Sequence, residues 1–140
     1  MPESPVIREV GGERDWQVHT NTRLVLVVDD DVDTAMMLSA LLRHLGHAVE
    51  CVTQPEAVLD RAKRLRPWLV FLDIRLPGTS GWELAPLIRD ELGGDAVRIV
   101  ALSGWGNAEH RSRSREAGFD AHVEKPVDIE LLRSILTQIE

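Results

Sequence analysis

The segments "LVLVV" (residues 24–28) and "LVFL" (residues 69–72) are continuous apolar runs, not alternating ones. A strand with one wet face alternates apolar and polar residues, so an unbroken run belongs to a strand covered on both faces, the condition of a parallel sheet. Longer segments of helical period separate such runs. Residues 33–46, "DTAMMLSALLRHLG", bring Ala35, Leu38, Leu41, Leu42 and Leu45 near one face and stop at Gly46. A second strand is expected over 47–53, and Pro55 opens a second helix over 55–66, a favoured place for proline.

The same rhythm continues to the end of the chain. Residues 68–73 read as a third strand, followed by the turn-rich "IRLPGTSG". A third helix covers 82–92. Within it Pro86 removes a backbone donor and predicts an irregular or kinked first turn. A strand over 97–103, a helix over 107–118, a strand over 120–125 and a helix over 128–139 complete the pattern. Five strands alternating with five helices require right-handed crossovers, giving a doubly wound α/β domain whose five-stranded parallel sheet is covered on both faces. Ligands of such sheets sit beyond the carboxyl ends of the strands, which is where chemistry is expected.

A chain of 140 residues suits one domain of this kind. Residues 1–22 mix charges with Pro2, Pro5 and the Gly11-Gly12 pair and read as a flexible arm, leaving 23–140 as the domain. The arm has no continuous apolar segment, so neither a secretory signal nor a membrane span is expected. A net charge of -7 argues against binding along a phosphate backbone, and no direct DNA contact is expected. The single cysteine, Cys51, excludes an internal disulfide and reads as a small packed side chain in a reducing compartment, with the cytoplasm as default.

The expected strand ends carry the chemistry. The first runs into Asp29 and Asp30, the third ends in Asp73, the fourth in Ser103, and the fifth in Lys125 followed by Pro126. Adjacent like charges raise one another's pKa unless a cation or hydrogen-bond donors hold them. An all-oxygen carboxylate set suits a hard cation such as Mg2+, with Mn2+ as an alternative. Lys125 can neutralise a phosphoryl oxygen, Ser103 can donate to another, and Asp73 between them can attack phosphorus to give an acyl phosphate. Asp31 and Asp33, at the start of the first helix, read as caps.

The acidic pair "DD", the "LD" with its "LPGTSG" loop, the "ALSGWG" segment and "EKP" stand in an order and spacing that resemble the receiver domains of two-component response regulators, over residues 23–139. The resemblance implies a flavodoxin-like strand order 2-1-3-4-5. It also implies that Asp73 is the phosphoacceptor, that Asp29, Asp30, Asp73 and the backbone carbonyl of Arg75 hold the metal, and that Ser103, Gly104 and Lys125 contact the phosphoryl group. The Lys125-Pro126 bond is expected to be cis. Ser103 and His122 would form the switch, His122 standing where the family usually has Tyr or Phe; taken alone, it reads as a satisfied or solvated histidine. Arg75 and Trp105 flank the presumed phosphate and would tune its lifetime.

The implied donor is a histidine kinase or histidine phosphotransfer protein. The implied output surface is the face of the fourth helix, fifth strand and fifth helix, with a homodimer left open. Such a domain is a switch catalysing its own phosphorylation and dephosphorylation, not an enzyme with external turnover. The pattern looks closest to receivers that are free-standing or attached to hybrid histidine kinases, and no output domain is expected beyond Glu140. A haloacid dehalogenase-type phosphatase fails because its second aspartate would fall at Arg75, and P-loop and α/β-hydrolase signatures are missing. The remaining alternative is a pseudo-receiver that binds partners without being phosphorylated. Arg111, Arg113 and Arg115 read as a solvated basic surface.

Overall fold

The computed structural model describes residues 23–104 and 108–140. The strands of its main sheet are β1 (Leu24–Val28), β2 (Ala48–Val52), β3 (Leu69–Asp73), β4 (Arg98–Ser103) and β5 (Ala121–Glu124). All neighbours are parallel and the order is 2-1-3-4-5, the doubly wound arrangement expected. The helices are α1 (Val32–His44), α2 (Val58–Leu65), α3 (Gly81–Leu92), α4 (Ala108–Glu116) and α5 (Ile129–Ile139). The expected arm, 1–22, lies outside the described residues.

Side chains along each central strand point alternately to the two faces. Val25, Val27, Leu69 and Phe71 therefore pack on one side, against Ala35, Leu38 and Leu42 of α1 and Leu132, Ile135, Leu136 and Ile139 of α5. Leu26, Val28, Val70 and Leu72 pack on the other, against Val58 and Ala62 of α2 and Leu84, Ala85, Ile88 and Leu92 of α3. Fully burying a side chain of this size stabilises by about 1.5–3 kcal/mol, and two such layers explain why the strands carry no polar face. Leu41 and Leu45 of α1 are partly buried against the first layer, as their spacing requires.

Helix starts follow their capping residues. Asp31 caps α1, its carboxylate accepting from the Asp33 N–H at 3.2 Å and the Thr34 hydroxyl at 2.8 Å, whereas Asp33 lies within the first turn. Asp128 caps α5 by accepting from the Leu131 N–H at 2.8 Å. Ser80 caps α3 through the Glu83 N–H.

Three local readings change. Pro55 opens a 3-10 turn, Pro55–Ala57, and α2 proper begins at Val58. The helix α3 runs unbroken through Pro86, because the donor that proline lacks faces one carbonyl only while the Ser80 cap holds the helix start. The loop after β3 contains an antiparallel ribbon of Arg75–Leu76 with Thr79–Ser80, too short to announce itself by periodicity. Cys51 packs half-buried against the first layer, as expected, and its sulfur also lies 2.7 Å from the Ser39 hydroxyl. No helix among the described residues is long and apolar enough to cross a membrane.

Candidate functional site

Asp29 follows the last residue of β1, and its N–H donates to the Val52 carbonyl at 3.2 Å, extending the ladder by one bond. Asp73 ends β3 beside Leu102 of β4, and Ser103 ends β4 beside Glu124 of β5. The Lys125 N–H donates to the Ser103 carbonyl at 2.7 Å, and the next peptide bond, Lys125-Pro126, is cis. The parallel register thus brings the ends of four strands, and the side chains they carry, to one edge.

There Lys125 Nζ bridges two carboxylates, donating to Asp29 Oδ2 at 2.9 Å and Asp73 Oδ2 at 3.1 Å. The second oxygen of each is held by backbone: the Asp31 N–H donates to Asp29 Oδ1 at 3.0 Å, and the Arg75 N–H donates to Asp73 Oδ1 at 2.9 Å. Asp29 is fully buried and Asp73 only 4% exposed, while Asp30 faces solvent. Carboxylate oxygens of Asp29, Asp30 and Asp73 lie within 4.8 Å of one another. Three carboxylates facing one ammonium form an oxygen-only donor set that fits a hard divalent cation.

Burial pushes the Asp73 carboxyl up to about 6, and the Asp29 charge pushes the same way against the Arg75 N–H and Lys125. Burial lowers the Lys125 pKa, but its bonds and charge interactions with Asp29 and Asp73 more than reverse this and raise it. Ser103 is 2% exposed, and its Oγ has no hydrogen-bond partner among the described residues. An unsatisfied buried hydroxyl is costly, so it marks a place where an incoming acceptor would be welcomed.

The site residues expected from the sequence do not all share one place. Asp29, Asp30, Asp73, Ser103 and Lys125 come together at the strand ends, with Gly104 exposed beside them. A cleft of about 300 Å3 adjoins them, lined by Gly104, Lys125, Pro126 and Val127 on one side and Thr34 and Met37 of α1 on the other. Arg75 contributes its backbone N–H to Asp73 while its side chain is exposed. Trp105 lies outside the described residues. The Nδ1 of His122 lies 3.0 Å from the Ser114 hydroxyl of α4. Ser114 in turn accepts from the Trp82 indole N–H at 3.0 Å, and Arg113, exposed as expected, lies 4.1 Å over the Trp82 ring.

Two residues were passed over. A Cβ on Gly81 would lie 2.6 Å from the Asp73 carbonyl oxygen, so the start of α3 abuts the backbone of the central carboxylate. The signal was a glycine directly after the cap of α3, where helix propensity would favour almost any other residue. Trp82 was read only as a helix residue, and its contact with Ser114 spans thirty-two positions that no local pattern connects.

The family model described as the response regulator receiver domain matches residues 25–137. An uncharacterized 14.6 kDa protein of Leptolyngbya boryana is 32% identical over 112 residues, which are 79% of this chain and 86% of that protein. The DNA-binding response regulator MtrA of Mycolicibacterium smegmatis is 35% identical over 107 residues, 76% of this chain but 46% of MtrA, so the match spans about half of that regulator's length. Among solved structures, the chemotaxis protein CheY4 of Vibrio cholerae superposes with a TM-score of 0.79 at 24% identity, covering 85% of this chain and 99% of that one, a likeness of fold.

Proposed function

The chain belongs to the response-regulator receiver family, and on that premise we propose that Asp73 accepts a phosphoryl group from a phosphohistidine on a histidine kinase or phosphotransfer protein. One observation carries the reading. The buried Asp73 carboxylate is anchored by Lys125, and the neighbouring Ser103 hydroxyl is buried without a partner among the described residues.

In the step proposed, an Asp73 oxygen attacks phosphorus as the donor's N–P bond breaks. The electron pair leaves with the imidazole nitrogen, which takes a proton from solvent, and an acyl phosphate remains. Lys125 would shift from bridging two carboxylates to holding one phosphoryl oxygen, and Ser103 and the Gly104 backbone would receive another. Asp29, Asp30, Asp73 and the backbone carbonyl of Arg75 would hold Mg2+, or Mn2+, which when bound neutralises the charge gathered between carboxylates and phosphoryl oxygens. Arg75, exposed and two residues after the acceptor, would hinder a hydrolytic water. Output would pass through the face of α4, β5 and α5, because the Ser103 and Lys125 positions adjoin β5 directly.

Intact-protein mass spectrometry after incubation with acetyl phosphate tests this. A single phosphoryl adduct is expected from the wild type in Mg2+, with none after chelation and none from Asp73→Asn. A folded wild type that forms no adduct in Mg2+ would overturn the reading in favour of a phosphorylation-independent binding module.

A further inference from the structure

The helix α4 has the sequence AEHRSRSRE, and Ser114 is its one buried residue. A surface helix is ordinarily held by an apolar stripe, and this one has none. Besides the exposed Arg111–Glu124 ion pair, its side-chain contacts are with Trp82 of α3 on one side and His122 of β5 on the other. The Trp82 ring packs edge-on against His110 at 5.5 Å and beneath the Arg113 guanidinium at 4.1 Å, and its indole N–H donates to Ser114 Oγ. Ser114 Oγ then meets His122 Nδ1.

Donor chemistry orders this chain. An indole nitrogen only donates, so Ser114 accepts from Trp82 and has one proton to give to His122 Nδ1. A neutral ring meets Ser114 in either tautomer, accepting that proton at Nδ1 or donating to the second lone pair of the hydroxyl, while Nε2 is buried with no partner among the described residues. A protonated ring has N–H donors at both nitrogens and so would place a charge with an unpaired Nε2–H in the buried seam.

The charges around His122 do not offset this. From α4 it faces His110, Arg111 and Arg115, all basic; from β5 it faces Glu124, which is already paired with Arg111 at 3.1 Å; Asp120, before β5, is bonded to Arg89 and to the Ile99 N–H; and β4 places only Ala101 beside it.

We propose that the neutral imidazole of His122, acting through Ser114 and Trp82, latches α4 to the domain, and that protonation of the ring releases the helix. Burial first, then the Arg111 and His110 charges, hold the His122 pKa below the ordinary histidine value, with Glu124 opposing them. The latch is therefore at full strength above that ordinary value and weakens as pH falls through it toward the folded-state value. Its consequence for signalling rests on the phosphoacceptor reading, since α4 belongs to the proposed output face; the latch itself does not.

The test uses the whole chain without any phosphoryl donor, so its outcome is independent of the Asp73 chemistry. His122 is titrated by NMR while amide protection in α4 is followed relative to α5. The proposal expects the ring to titrate below the ordinary histidine value. It also expects α4 protection to fall by up to about tenfold, relative to α5, between about pH 8 and about pH 5.5. His122→Phe should abolish that pH-dependent step. Trp82→Phe keeps a ring against His110 and Arg113 but removes the N–H, and should loosen α4 at every pH. A protection ratio flat across the range, or the same step in His122→Phe, would overturn the proposal.

Discussion

Replacing Gly81 by alanine examines how α3 supports the central carboxylate. The Gly81 N–H donates to the Ile74 carbonyl at 3.1 Å, which seats the helix start on the loop that follows Asp73. A Cβ built there would lie 2.6 Å from the Asp73 carbonyl oxygen and 2.9 Å from Ile74 Cα. Both atoms are backbone, so no side chain can swing aside. Restoring ordinary contact at about 3.5 Å needs a relative shift of roughly 0.5–1 Å between α3 and the end of β3. Overpacking of this kind costs about 1–3 kcal/mol, against which alanine regains up to about 1 kcal/mol of helix propensity. Urea denaturation should therefore show Gly81→Ala less stable by about 1–2 kcal/mol. The same shift would disturb the 2.9 Å and 3.1 Å bonds that aim the Asp73 carboxylate, and misplacement near 1 Å can cost up to about a hundredfold in rate. Acetyl phosphate labelling, timed by mass spectrometry, should slow by about tenfold or more. A variant with the wild-type urea midpoint and labelling rate would refute the argument that this contact is tight.

Two further outcomes follow from the same geometry. Lys125→Ala leaves the buried carboxylates of Asp29 and Asp73 without their shared ammonium, and should destabilise the metal-free protein by about 2–4 kcal/mol in urea at neutral pH; an unchanged midpoint would mean the bridge contributes nothing. Pro86→Ala, at an exposed position inside α3, restores the donor that the helix lacks and should raise stability by about 1–3 kcal/mol, with thermal unfolding as the check and a lowered midpoint as the refutation.

The layered sheet was readable because its physics is local. "LVLVV" and "LVFL" are apolar at every position since both faces are covered, and the helical segments between them carry their own caps and breakers. The carboxylate site was readable for a related reason: in a parallel sheet all strands end at one edge, so knowing where Val28, Asp73, Ser103 and Glu124 stand in their strands is enough to bring Asp29, Asp73, Ser103 and Lys125 together. The strand order itself came from resemblance to a family, not from the apolar pattern.

Other features depend on distances between elements, which a one-dimensional pattern does not carry. The ribbon of Arg75–Leu76 with Thr79–Ser80 is shorter than any period that could reveal it. Arg113 is exposed, as its pattern suggests, yet its guanidinium also covers an aromatic face that α3 presents to α4, a contact the pattern does not carry. The bond partner of His122 was not legible either: its ring nitrogen meets Ser114, because α4 crosses its side of the sheet and brings the only buried hydroxyl of that helix to it. The sequence by itself determined which strands are buried and which charges share their ends, since burial and periodicity are properties of short segments. Tertiary structure alone decided that Gly81 abuts Asp73 and that Trp82, Ser114 and His122 join α3, α4 and β5, since those contacts exist only once three separately formed elements are packed to within ångströms of one another.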